Sequence, residues 1–402
     1  MNAGAFFFII YKLFFKKLFT NSNLYSNVIN RCFWHQTLGD DNLDNIRLWL
    51  WLQGALSITR AKQHKLIGHF GDIESVYRAN LSDYNELGFL TDEDLNYLSK
   101  KDLTYAEDMQ RELNKYSAHV ITMDSDIYPD LLRTIHQPPT VLYARGSFLD
   151  FNSVFMLSMV GTRKATNYGK VSAYNIAREL SKSGVTVVSG LAMGIDAKSH
   201  EGALSGGSPT VAVIGCGVDI AYPRINAPLM NKIMKNGCVI SEYPLGAPPE
   251  KYHFPERNRI IAGMSKGTIV VEADLKSGSL ITARYATEEN RDVFALPGNI
   301  NNPTSKGSNA LLQDGAHLIA STKDLVSYYN LEYIDKIPVT YEDSSKIGIE
   351  DKILNAIGDE IVHLDTICQR TCLDTGTVNA NLLMMEIKGK VIKLAGGYYS
   401  RT

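Results

Sequence analysis

The chain reads as an α/β protein: a parallel-sheet core, a small helical domain before it and a winged helix after it. Three observations predict this. Between residues 154 and 296, short apolar runs alternate with helical stretches and glycine-rich turns. Residues 44–117 read as a succession of short helices. After residue 347, three helical stretches lead into two short strands flanking Gly396-Gly397.

With 402 residues, the chain has room for two or three domains, one of them with a substantial core. The boundaries expected are an extension at 1–38, a helical domain at 44–117, the α/β domain at 118–330, a linker at 331–346 and the winged helix at 347–402. Residues 1–38 are apolar and basic without a span long enough for a bilayer, and are expected to lie outside the folded protein, disordered or poorly packed. A net charge of −2 excludes a bulk polycation, so any nucleic-acid contact must come from a local patch. The cysteines Cys32, Cys216, Cys238, Cys368 and Cys372 form no C-x-x-C pair and no metal spacing. They suit a reducing cytoplasm, and neither metal nor cofactor is expected.

Taken in order, residues 46–52 look like an amphipathic helix, followed by helices at 61–70, 73–79, 82–87, 91–98 and 106–116, with Ser82 and Thr91 as N-caps. The layout is similar to helix-hairpin-helix (SAM-like) modules, although the turn Leu56-Ser57-Ile58-Thr59-Arg60 lacks their glycines. Short strands at 120–123 and 140–144 lead into the main domain. There, strands are expected at 154–160, 185–188, 210–214, 238–241, 267–271 and 293–296, with helices at 168–183 and 228–235 among them. Short, wholly apolar strands alternating with helices imply a sheet covered on both faces. Ligands of such sheets bind beyond the carboxyl ends of the strands. Gly161, Gly190, Gly194, Gly215, Gly217, Gly278 and Gly298 fall at those ends.

The chemistry points to an anion. Lys276-Ser277-Gly278-Ser279 joins a buried strand to a helix, whose free N–H groups and dipole favour negative charge. Arg163, two residues after Gly161, is placed to pair with phosphate oxygens. Upstream of the anion loop, Lys251, Arg257 and Arg259 interleave with Tyr252, His253 and Phe254. Cations between flat rings are what a single strand of nucleic acid requires; the same composition also describes a solvated helix start. Walker-A and full G-x-G-x-x-G patterns are absent. His200 has no nucleophile elbow or zinc spacing beside it and reads as a structural histidine. Glu242, Glu272 and Asp274 read as loop anchors or partners of Arg257 and Arg259.

The runs M-V-G-T-R ending at Arg163, V-S-G-L-A-M-G-I-D-A-K-S-H ending at His200, A-V-I-G-C-G-V-D-I-A-Y-P, S-E-Y-P-L-G, K-Y-H-F-P-E-R-N-R-I-I-A-G, E-A-D-L-K-S-G-S-L-I-T-A and A-L-P-G-N together resemble the DNA-processing protein A family, DprA or Smf. The resemblance runs from about residue 44 to the C-terminus. It implies an extended Rossmann-like core without dinucleotide chemistry. It further implies a non-enzymatic protein that binds single-stranded DNA, loads the RecA recombinase and protects incoming DNA in natural transformation. Carried over residue by residue, it implies a phosphate pocket from Gly161, Thr162, Arg163, Ser189, Gly190, Ser277, Gly278 and Ser279. Phe254 with Asn258 would meet bases, and Lys251 and Arg257 the backbone. It implies a homodimer whose seam includes Leu311, Leu312 and Leu318.

At 349–357, 364–371 and 375–388 three helices are expected, the last capped by Asp374, with a two-residue hairpin turn at Gly396-Gly397. The third helix offers Thr377, Asn379 and Asn381 but only Lys388 as a base, which favours protein contact over reading of a duplex. Two other readings remain open. A phosphoribohydrolase-type nucleotide enzyme would need P-G-G-x-G-T-x-x-E, where this chain has Lys276-Ser277-Gly278-Ser279-Leu280-Ile281-Thr282. A winged-helix regulator would need specific duplex binding.

Overall fold

Alternation along one strand sets the frame. In β3, Met156–Val160, every residue is buried. Met156 and Val160 enter one core cluster and Leu157 and Met159 another, so the strand is covered on both faces. This computed structural model describes residues 40–147, 149–332, 349–358, 361–371 and 373–401. The expected extension at 1–38, and all but two residues of the linker at 331–346, lie outside the described residues. The described residues through Glu332 form one compact unit and those from Ile349 a second.

In the first unit, helices α1 Asp40–Gly54, α2 Arg60–Phe70, α3 Ile73–Arg78, α4 Leu81–Glu86, α5 Asp92–Lys100 and α6 Thr104–Tyr116 precede β1, Ala118–Thr122. Then come α7 Asp130–Arg133, β2 Val141–Gly146, β3, α8 Asn167–Lys182, β4 Thr186–Ser189 and α9 Ile195–Gly206. β5 Thr210–Val213, α10 Ala227–Asn236, β6 Cys238–Ser241, α11 His253–Gly263, β7 Gly267–Val270 and α12 Ser279–Glu288 follow. β8 Asp292–Ala295, α13 Lys306–Gln313, β9 His317–Leu318 and α14 Thr322–Tyr328 complete the unit.

Nine strands form one sheet in the order β1-β2-β6-β5-β4-β3-β7-β8-β9. β3 to β9 run parallel to one another; β1 pairs with β2, and β2 with β6, antiparallel. The two strands read as a lead-in are therefore the edge of the main sheet. Helices α8 and α9 pack on the core that receives Leu157 and Met159, through Ala173, Ile176, Leu180, Ile195 and Ala203. Helices α11 and α12 supply Ile260, Ile261 and Ala283 to the other.

The sequence reads 46–52 as amphipathic, but the structure buries Trp49, Leu50, Trp51 and Leu52 in succession. The reason is that α1 packs against α3, α6, β1 and β2 together, so its covered face is wide, and only the side carrying Asp44 and Arg47 meets water. These helices and the β1, β2, β5, β6 region share one core cluster. Thr91 caps α5 as expected, its side chain accepting from Asp94 N. For α4 the cap is Asn80 rather than Ser82: a capping box forms in which Asn80 N donates to the Asp83 carboxylate at 2.7 Å, and this starts the helix earlier.

In the second unit, α15 Ile349–Ile357, α16 Leu364–Thr371 and α17 Thr375–Ile387 pack around Ile353, Ile367, Val378, Leu382 and Met385. Strands β10 Val362–His363, β11 Val391–Leu394 and β12 Tyr398–Arg401 form a sheet ordered β10-β12-β11. This is the winged-helix pattern, with Asp374 capping α17. The hairpin loop holds three residues rather than two, because Leu394 pairs with Tyr398. Gly396 and Gly397 both take positive φ, 80° and 81°, which explains the glycines.

Candidate nucleic-acid interface

The chain runs outward from β3 through β4 and β5 to β6, then returns to place β7 on the other side of β3. The loops after β3 and β7 therefore part at a crevice, where open α/β sheets take their ligands. Both loops are pinned. Thr162 N donates to the Glu272 carbonyl at 2.7 Å, and Ile195 N to the Thr162 carbonyl at 3.3 Å. The Glu272 side chain, 1% exposed, accepts from Thr166 N at 2.9 Å and from the Thr304 hydroxyl. Glu272 is thus a loop anchor. Gly194, at φ 83°, lets α9 approach this loop: a Cβ there would stand 2.4 Å from the Thr162 carbonyl oxygen.

From the pinned loop Arg163 projects outward, exposed, with its Cζ 5.6 Å from the ring centroid of Phe254. Phe254 sits in the first turn of α11, half-buried. Gly215, after β5, makes room for it: a Cβ there would lie 3.2 Å from its ring. Tyr222, from the loop before α10, stands 5.3 Å from Phe254 at 30°. Tyr222 is not among the residues the sequence singles out for the site; the Tyr-Pro closing A-V-I-G-C-G-V-D-I-A-Y-P is its one signal.

The remaining residues predicted for the site divide by depth. Lys251 is exposed just before α11, and Thr162 and Ser277 are half-buried at the loop surfaces. Gly278 has nothing within 4 Å of where a Cβ would stand, so open space rather than packing surrounds it. It precedes α12, and the N–H groups the sequence leads one to expect free there are taken within the loop: Ser279 N donates to Ser277 Oγ at 3.4 Å, Leu280 N to Ser277 O at 3.1 Å and Ile281 N to Gly278 O at 3.2 Å. Ser277 and Ser279 share a hydroxyl contact at 2.8 Å.

Ser189, Gly190 and Arg257 lie beneath. Ser189 donates its hydroxyl to Met159 O at 2.6 Å. Arg257, 4% exposed, donates to the Gly190 carbonyl at 2.9 Å and to that of Val213. The family resemblance implies a backbone contact for Arg257; here its guanidinium is spent on carbonyls, because position 257 of α11 faces the strand ends. Burial pulls it down to about 10, against the pull of Asp196. Burial likewise raises Asp196, against Arg257. Asn258 spans two elements, its Oδ1 accepting from Arg257 at 3.2 Å and its Nδ2 donating to Gly278 O at 3.2 Å. One further N–H and one lone pair remain on that amide.

His200 is fully buried, and burial, then the nearby Arg257, lowers it to about 3. Its Nδ1 lies 2.8 Å from the Thr210 hydroxyl, whose proton goes to Val187 O at 2.6 Å. The ring nitrogen is therefore the donor, and His200 is a neutral structural group. Among the described residues no cluster of His, Cys, Asp and Glu could hold a metal, and no helix is long and apolar enough to cross a membrane.

Of the residues expected at a dimer seam, Leu311 and Leu312 are half-buried on α13 and Leu318 is 58% exposed on β9, the outermost strand.

Residues 119–330 match the family model described as DNA recombination-mediator protein A, and 343–397 match that of the DprA winged helix domain. The chain belongs to the DNA recombination-mediator protein A family. It is 36% identical to protein Smf of Escherichia coli K12 over 293 residues, covering 71% of this chain and 78% of that one. It is 42% identical to DNA processing protein DprA of Bacillus subtilis over 207 residues, covering 52% and 70%. The X-ray structure of DprA from Streptococcus pneumoniae superposes with a TM-score of 0.61 at 34% identity, covering 71% of this chain and 97% of that one. The family's description is of a recombination mediator.

Proposed function

We propose that this chain binds single-stranded DNA in the crevice between the loops after β3 and β7 and acts as a recombination mediator. The observation that carries the proposal is the meeting of Arg163 with Phe254, a guanidinium 5.6 Å from a ring. An exposed cation beside a flat face, with open space over Gly278, fits a phosphate with its base. The phosphate pocket comprises Gly161, Thr162, Arg163, Ser277, Gly278 and Ser279, with Lys251 on the strand's backbone and Phe254 and Asn258 at a base. Ser189, Gly190 and Arg257 form its floor. The family's description supports the mediator role; the later steps belong to the same reading: the chain presents the strand to a RecA recombinase and protects incoming DNA during transformation, in the cytoplasm, as a homodimer meeting at Leu311, Leu312 and Leu318.

The winged helix fits a protein contact better than a duplex. On α17 the Thr377 hydroxyl is bound to Asp374 and Asn381 to the Thr377 carbonyl, while Leu383, Met384 and Ile387 are exposed. Lys388 is paired with Glu350.

Fluorescence anisotropy of labelled oligo-dT and a matched duplex, at two salt concentrations, tests the proposal. The single strand should bind preferentially, and Arg163→Ala should weaken it and lower the salt slope by about one. Binding to neither form, or duplex preference indifferent to Arg163, overturns it.

A further inference from the structure

Phe254 is an incomplete platform for bases. It is half-buried, and the Arg163 guanidinium stands over its ring. Whatever base meets it shares that ring with an arginine. The aromatic surface beside it belongs to Tyr222, 40% exposed, with its ring centroid 5.3 Å away and its plane tilted by 30°.

The loop that carries Tyr222 is fastened rather than loose. Asn226 Nδ2 donates to Leu191 O at 2.9 Å, tying it to the loop after β4. Gly217 N donates to Ala247 O at 3.0 Å, and Gly246 N to the Asp219 carboxylate at 3.0 Å, tying it to the segment before α11. A large ring held on a fixed loop, yet left two-fifths exposed, offers contact area at little cost in conformational entropy.

We propose that Tyr222 is a second stacking platform for a nucleobase, taking the base next to the one at Phe254. The inference rests on the single-strand reading above. Stacking on a ring is indifferent to base identity, so the pair Phe254–Tyr222 extends the site along the strand without adding sequence preference. It also separates labour: Arg163 and Lys251 meet phosphates, and Tyr222 meets only bases.

The test uses the full-length protein with Tyr222→Ala, Tyr222→Leu, Tyr222→Phe and Arg163→Ala, titrated against oligo-dT and an abasic oligomer of equal length. Circular dichroism melting checks that each variant folds, and Tyr222→Leu keeps apolar contact with Phe254 where alanine leaves a gap. Tyr222→Ala and Tyr222→Leu should weaken oligo-dT binding roughly 5- to 100-fold, and Tyr222→Phe should stay within about two-fold of wild type. None of the three should change the salt slope or the affinity for the abasic oligomer. Wild-type affinity in Tyr222→Ala, with Arg163→Ala still weakened, overturns this inference and leaves the single-strand reading standing. A loss in Tyr222→Phe as large as in alanine, or an equal loss on the abasic oligomer, overturns it too, since the ring would not be the determinant. No oligo-dT binding by wild type overturns both.

Discussion

Glu242 gives both carboxylate oxygens to one guanidinium nitrogen of Arg259, at 2.5 and 2.6 Å, and accepts from Arg60 at 2.6 Å. Arg60 opens α2 and Arg259 lies on α11, so one acid near the end of β6 joins the helical region to the helix that carries Phe254. The side chains of Glu242 and Arg259 are 11% and 8% exposed, and that of Arg60 24%. Glu242→Ala should therefore leave a buried cation uncompensated and cost about 3–5 kcal/mol. Arg60→Ala, which leaves Arg259 paired, should cost about 1 kcal/mol or less. Urea unfolding measures both; equal effects would show that the pairing with Arg259 is not what matters.

Two glycines make opposite predictions. Gly194→Ala places a Cβ against the Thr162 and Arg163 carbonyls, at 2.4 and 2.7 Å, in a residue with φ 83°. It should cost about 1–3 kcal/mol and displace the β3 loop, lowering both melting temperature and DNA affinity. Gly278→Ala meets nothing within 4 Å and has ordinary φ. It should leave stability within about 0.5 kcal/mol of wild type while crowding the crevice, so that affinity falls alone. Parallel melting and anisotropy curves separate the two.

His200 makes stability depend on pH. Its imidazole is held near 3 in the folded chain, against 6.5 when free. Between those values the unfolded chain binds the extra proton, so stability is full above 6.5 and is lost as pH falls toward 3. From about pH 7 to 5.5 the loss should be about 1 kcal/mol. His200→Asn keeps a donor for Thr210 but does not titrate. Its stability curve should be flatter over that window; a curve parallel to wild type would assign the acid sensitivity elsewhere.

The core strands are legible in the sequence because each is a short, mostly apolar run, several of them followed by a glycine turn. For β3 the sequence predicts 154–160, and the strand occupies Met156–Val160. The antiparallel pairing of β1 with β2 and of β2 with β6 is not legible, since a strand's own residues do not name its neighbour. The same limit governs the site. Phe254 and Arg257 are three apart on α11 and face one way, but sequence alone does not tell which reaches the crevice and which is drawn under it. Tyr222 was hidden for a related reason: only tertiary packing brings the loop before α10 against α11.

The two arginines of the crevice differ in what binding asks of them. Arg163 is exposed and must give up rotamer freedom when it closes on a phosphate. Arg257 has already surrendered that freedom to Gly190 and Val213 during folding. Its charge beneath the crevice is part of the scaffold, present before any ligand arrives and in the same place after it leaves. On the proposed reading, the site would combine one cation that adapts to the strand with one held in the floor beneath it, and the entropic cost of fixing the second is borne once per folding event rather than once per encounter.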